Sequence, residues 1–434
     1  MQSSMNARYQ AINFSFFLMM GSMIAFASNY LLALGYSNAQ IGMILALYSI
    51  VSFFMQPFFA SFADTHPSIS LQKLINGLLC MIMVASLILF ASSKTFGRGL
   101  LLSMLVILIF ACMMSVIPLV NAAAFMYEKF GIKINYGLAR GLGSAAYAII
   151  SMILGYVLDA FSPTILPLIY FILALLTFLA VSSYHYKYSG QEKREEQHFE
   201  QQEKSKQISL LSFLKKYKSL TILLFGYMLV YITHMIINSF YIQIIEHVHG
   251  TSSNLGIAVF IAAIVELPAM FGFERLAKKI NIKALLLISL LFYIAKHVVT
   301  FLSFNIWGIY LAAFLQIGAY ALFTPAIVYY INQIVSAYDS LMGQTANTMF
   351  ATAGGIFGSL IGGIVIDYFG ISIVLALGVV LSILGTLICW VGLKKINKIE
   401  TILIDLLYFN VVAFVLAHST KLPQQPRRSR IFFH

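Results

Sequence analysis

Three charged side chains stand in or at the edge of runs that otherwise exclude charge: Glu266, Lys296 and Arg140. Glu266 lies nine residues before Arg275 in a helical register, roughly 13 Å from that basic end at 1.5 Å per residue. Lys296 lies thirteen residues after Lys283, roughly 20 Å in by the same rise. A charge at such depth costs about 2.5–3.5 kcal/mol on insertion scales, so each is expected to face a cavity and to have a partner. A carboxyl that moves between an apolar pocket and the neighbourhood of a cation takes up a proton and gives it back. Glu266 is therefore the candidate coupling group, with Lys296 beside it. The same two residues also fit a static ion pair that locks two helices together. Arg140 opens the uncharged stretch 141–158 within "NYGLARGLGSAAYAIISMILGYVLDAF" (135–161). A guanidinium offers five donors in a planar fork, suited to hydroxyls or a carboxylate. The other reading of Arg140 is a membrane-surface anchor, for which any positive charge serves.

The elements that must position these residues are membrane-spanning helices. Of the 434 residues, 60% are hydrophobic and 10% charged, against about 25% charged in soluble domains. Mean hydropathy is +0.89. Such a chain is solvated by lipid. Twelve runs reach the roughly 20 apolar residues that a span needs. They fall near 11–34, 39–63, 72–92, 98–126, 137–160, 163–185, 219–244, 254–273, 281–302, 306–332, 342–366 and 370–393. No cleavable signal peptide is expected, because the first run is long and lacks a small-residue cleavage site. The expected organisation is a six-helix unit over 1–185, a polar linker over 186–218, a second six-helix unit over 219–395 and a tail over 396–434. The linker carries "KYSGQEKREEQHFEQQEKSKQ", a composition that cannot bury a core.

Basic residues orient the chain. Arg8, Lys73, Lys129, Lys133, the linker cluster, Arg275, Lys278, Lys279, Lys283, Lys394, Lys395 and Lys398 fall on one side, and Lys94 and Arg98 on the other. The positive-inside rule then puts both termini and the linker in the cytoplasm of a cell-membrane protein. The net charge of +12 thus marks a membrane orientation and not a nucleic-acid surface.

The two halves look related. "IGMILALYSIV" (41–51) matches "LGIAVFIAAIV" (255–265), and "GYVLDAF" (155–161) matches "GIVIDYF" (363–369), each at the same place within six helices. Parallel six-helix repeats around a midplane site are a transporter architecture. Small-residue stretches, "GLGSAAYA" (141–148) and "ATAGGIFGSLIGG" (351–363), predict close helix seams.

On these features the chain resembles the major facilitator superfamily, and within it the oligosaccharide:proton symporters typified by lactose permease, over about residues 9–395. "QPFFASFAD" (56–64) is similar to the family's helix-two ending, with Ala60 where a glycine is expected and Thr65 and His66 where a basic residue is expected. The resemblance implies a cytoplasmic gate contact for Asp64. "YGLARGLGS" (136–144) resembles the helix-five segment whose arginine binds sugar hydroxyls, which falls on Arg140. "AIVELPA" (263–269) resembles the helix-eight segment with its essential glutamate, Glu266, and "YIAKHVV" (293–299) the helix-nine segment, with Lys296 where the family has arginine. Two departures follow. Asn121 stands at the helix-four carboxylate, and 306–332 holds no acid at all, with Gln316 at the neighbouring histidine position.

The resemblance and the residues together imply an all-α integral membrane protein of twelve helices in two six-helix pseudo-repeats around a central cavity. Arg140, Asn121, Glu266, Gln316 and Asn238 are the expected solute-binding set, Glu266 and Lys296 the proton-coupling pair, and Asp64 the gate. Of the other polar residues in apolar runs (Asn29, Tyr30, His234, Tyr320 and Asn347), some are expected to line the path and the rest to bond neighbouring helices. His297 points about 100° away from Lys296 around the helix, so an interhelical hydrogen bond is its expected role. Cys80, Cys112 and Cys389 sit in separate apolar runs and read as buried hydrophobes. No metal site, cofactor, nucleotide-binding loop or catalytic triad is expected, nor a nucleic-acid partner, and the chain reads as a monomer. The expected activity is proton-coupled uptake of a sugar or other small polar solute. An organic anion or drug-like solute, or a membrane sensor that binds without translocating, are the other readings. The apolar run at 402–417 in the tail, which contains Asp405, reads as an interfacial segment.

Overall fold

In a lipid solvent every backbone polar group must be satisfied within the chain, and a helix does this locally. The computed structural model, which describes residues 2–66, 69–96, 98–125, 134–184 and 209–393, has twelve such helices. They are α1 (Gln2–Ala33), α2 (Asn38–Thr65), α3 (Leu71–Phe96), α4 (Leu100–Ala123), α5 (Tyr136–Ala160) and α6 (Leu166–Ser183) in the first half. In the second half they are α7 (Lys218–Ser239), α8 (Ser252–Ala277), α9 (Ile282–Leu302), α10 (Ile306–Ile334), α11 (Ser340–Phe369) and α12 (Ile371–Leu393). Short helices precede α7 (Leu210–Lys216) and follow it (Tyr241–His247). Much of the linker and the whole tail, including the interfacial reading of 402–417, lie outside the described residues.

The expected single run at 306–332 is interrupted. It is two α-helices, Ile306–Phe314 and Tyr320–Ile334, separated by a 3₁₀ turn over Leu315–Ile317. Gly318 follows the turn at a point where a side chain would run into the ring of Phe292 on α9. The crowding leaves room only for glycine there, and it sits where the helix ladder is broken.

Within each half, α1 packs on α5 and α6, and α7 packs on α11. Glycine permits the close approaches. A β-carbon on Gly358 would come within 2.7 Å of the Ile232 carbonyl oxygen, and one on Gly226 within 2.6 Å of the Gly385 carbonyl oxygen. Between the halves, α5 lies along α8 and α2 along α11. We call the face where α6 ends and α7 begins the linker face, and the opposite one the far face. The hydrogen bonds that join the halves cluster at the far face: Ser28 and Asn38 with Gln243, and Asn29 with Ser252. Arg140, near the linker end of α5, is exposed and lines the central cavity. The structure is therefore closed at the far face and open toward the linker face.

Candidate solute cavity

Helical periodicity assembles the cavity. Residues four and three apart share one helix face, and α5 presents Arg140, Ser144 and Tyr147 in that register. In the same way α7 presents Tyr231, His234, Met235 and Asn238, and α8 presents Val259, Ala262, Ala263 and Glu266. α1 adds Phe17 and Met20, and α9 and α10 contribute Lys296, Gln316 and Tyr320. The cavity has a volume of about 410 Å³, within the range of about 300–1,000 Å³ for small-molecule sites.

Its polar centre is a chain of side chains. Lys296 Nζ donates to Gln316 Oε1 at 2.6 Å, and Gln316 Nε2 donates to Glu266 Oε1 at 2.9 Å. Lys296 and Gln316 are both buried. The direct Glu266–Lys296 pair allowed by the sequence is thus replaced by an amide bridge. Gln316 holds this position from within the 3₁₀ turn of α10. His234 extends the chain, with Nδ1 3.5 Å from Lys296 Nζ and Nε2 3.0 Å from the Asn238 side-chain nitrogen. Its ring lies nearly parallel to that of Tyr320, with centroids 5.8 Å apart.

Arg140 approaches from the open side. Its Cζ lies 4.2 Å from the centre of the Phe17 ring, a cation–π contact that holds the guanidinium over the cavity without using up its donors. Arg140, Lys296 and Glu266 all line the cavity. Two cations and one acid therefore share this space.

The remaining expected residues fall as follows. Asn238, Gln316, His234 and Tyr320 line the cavity. Asn121 does not; its Oδ1 accepts from the Tyr136 hydroxyl at 3.2 Å, which commits the amide to the α4–α5 junction. Asn29 serves the far-face closure instead. Asp64 lies in the last turn of α2, and its side chain is outside the described residues. His297 bonds Ser382 of α12 at 2.6 Å. The Ser382 hydroxyl proton is directed to the Gly378 carbonyl, so Nδ1 of His297 is the donor and the contact is an interhelical tie. The aromatic wall of Tyr48, Tyr147, Tyr231 and Tyr241 was not anticipated from the sequence. Stepping by three and four from Arg140 reaches Tyr147, and from His234 reaches Tyr231, so part of that signal was present.

The sequence matches the model of the MFS_1 like family over residues 6–377. The chain belongs to that family. Among curated relatives, the uncharacterized transporter YwbF of Bacillus subtilis is 27% identical over 385 residues, covering 85% of this chain and 88% of YwbF. The maltose permease of Geobacillus stearothermophilus is 25% identical over 371 residues, covering 83% of this chain and 87% of the permease. The crystal structure of the nucleoside transporter NupG superposes with a TM-score of 0.70 at 16% identity, over 91% of this chain and 99% of NupG. Its likeness is one of fold. This member of the MFS_1 like family is a multi-pass membrane transporter with the twelve-helix major facilitator architecture.

Proposed function

We propose that the chain is a secondary active transporter that takes up a sugar or a related polyhydroxylated solute together with a proton. The observation that carries this reading is the Lys296–Gln316–Glu266 chain in a cavity that also holds Arg140. The Arg140 fork can donate to solute hydroxyls and the tyrosines offer flat apolar faces and hydroxyls, the pairing that a sugar ring needs. Glu266 is an acid that can load a proton, and the bridge to Lys296 gives a path by which solute binding would alter its surroundings. The maltose permease relative supports the sugar class. The basic residues gathered on the linker side support an orientation with that face in the cytoplasm.

The test is uptake into proteoliposomes under an imposed proton gradient, with mono- and disaccharides and nucleosides as the panel. Accumulation of a sugar above its external concentration is expected, together with collapse of that accumulation in Glu266→Gln while downhill exchange persists. Each proton moved across 100 mV supplies about 2.3 kcal/mol, so loss of the carrier removes the uphill component. Uphill transport by Glu266→Gln at the parent rate would take Glu266 out of the coupling step.

One observation favours a second reading. Arg140 and Lys296 outnumber Glu266 in the cavity, a balance that suits an organic anion. Competition of uptake by carboxylate-bearing solutes, and not by neutral sugars, would select that class.

A further inference from the structure

The repeated segments "GYVLDAF" and "GIVIDYF" lie outside the cavity, at the far ends of α5 and α11. Each puts its aspartate on the first turn of a helix in the opposite half. Asp159 Oδ2 accepts from the Thr251 hydroxyl at 2.6 Å, from the Ser253 backbone N–H at 3.0 Å, and from the Ser253 hydroxyl, at the start of α8. Asp367 Oδ1 accepts from the Asn38 backbone N–H at 3.0 Å and from its side-chain amide at 2.9 Å, and Oδ2 from the Ala39 backbone N–H at 2.7 Å, at the start of α2.

The two sites are built alike. A glycine precedes each aspartate by four residues, Gly155 and Gly363, and faces the partner helix. A β-carbon on Gly155 would lie 2.7 Å from the Ser252 carbonyl oxygen and 3.0 Å from Gly256 Cα. One on Gly363 would collide with the Asn38 backbone and lie 3.1 Å from Ala39 Cα. The receiving helices match as well, since Gly256 and Gly42 each follow the first residue of their helix by four. Glycine brings the backbones together, and one turn later the carboxylate meets the free amides. The opening amides of a helix have no partner within it, and its N-terminal dipole end favours a negative charge. In α2 the division is visible. Ser37, the helix's own cap, takes the Gln40 amide, while Asn38 and Ala39 depend on Asp367 from the other half. Opening the far face must separate both aspartates from these donors.

We propose that Asp159 and Asp367 are paired latches of the far gate, and that together they set the balance between the arrangement described here and the one open to the far face. The inference stands on the transporter fold and is independent of the solute and of proton coupling. It is tested in the full chain with Cys80, Cys112 and Cys389 replaced by alanine and with Ala25→Cys as reporter. Ala25 lines the cavity one turn from Ser28 in the far-face closure. A membrane-impermeant maleimide is added to one face of oriented vesicles at a time. In Asp159→Asn/Asp367→Asn, labelling from the far face is expected to be at least tenfold faster and labelling from the linker face slower, with each single variant giving part of the shift. Unchanged far-face labelling in the double variant would overturn the proposal. A rise from both faces at once, the mark of a loosened fold, overturns it too, as does a shift produced wholly by one aspartate.

Discussion

Lys296 and Glu266 are linked through one side chain, with the Gln316 amide accepting from the first at 2.6 Å and donating to the second at 2.9 Å. A carboxylate or a second cation at position 316 could not do both. The amide carries no charge of its own, yet it fixes the spacing between two charges, and it does so from a turn that interrupts a helix.

Gln316→Ala should therefore affect both neighbours. Each hydrogen bond to a charged group contributes about 1.5–3 kcal/mol. A fall in thermal stability of at least that size in detergent is expected, read as melting temperature, along with slower transport. A variant with parental stability and rate would show the bridge to be incidental.

Lys296→Ala removes the donor and leaves Glu266 with less compensation. An unpaired buried charge is worse than none, so adding Glu266→Gln should restore part of the lost stability. The quantity to measure is the coupling between the two substitutions, expected at about 0.5–3 kcal/mol. Strict additivity would mean that Gln316 does not transmit between them.

Arg140 lies over Phe17 and faces the cavity. Lysine would keep the charge but lose the planar fork. Arg140→Lys is expected to insert normally and to bind solute at least tenfold more weakly, about 1.4 kcal/mol, as measured by equilibrium binding. Equal affinity would return the residue to the role of surface anchor.

At the linker end of the second half, Asp339 Oδ2 accepts from Lys216 Nζ at 2.6 Å, from the Tyr217 hydroxyl at 2.9 Å and from the Ser336 hydroxyl at 3.0 Å. The Lys216 bond first, and the Tyr217 bond second, hold this carboxyl below its ordinary value of 3.8. A depressed carboxyl stabilises the fold above its unfolded pKa and loses that contribution as the pH falls through the folded one. Lys216 is raised above 10.5 by the same bond, so its share persists below that value and is lost at higher pH. The melting temperature of Asp339→Asn should lie below the parent near neutrality, and the two curves should converge under acid. A constant gap down to about pH 3 would exclude this contact as the cause.

The helices were readable because a membrane span leaves a long apolar run, and the charged residues stood out because lipid makes them rare. Glu266 and Lys296 stood out on that ground alone, whereas Arg140, at the edge of its run, read equally as a surface anchor until the family resemblance pointed to a cavity role. The tyrosine wall was harder to read, since an aromatic residue in a span can face lipid, a neighbouring helix or a cavity with the same composition around it. Asn121 shows the opposite difficulty. The resemblance put it at a carboxylate position that suited a solute contact, but the nearby Tyr136 hydroxyl donates to the amide. The interruption of α10 left little trace in the sequence beyond Gly318, whose crowding by the Phe292 ring depends on another helix. Asp159 and Asp367 were visible as marks of duplication, whereas their partners at 251–253 and 38–39 are fixed only by how the halves meet.

The 3₁₀ turn in α10 has a mechanical consequence. Gln316 belongs to the turn and Tyr320 begins the helical segment after it, and both line the cavity. A rigid rod would hold these two side chains at a constant separation. In α10 the helix ladder between them is interrupted, and a bound molecule touching both would straddle that interruption. Such a molecule would rest on the one stretch of α10 whose backbone is not held by an unbroken helix ladder, and that stretch also carries the amide between Lys296 and Glu266.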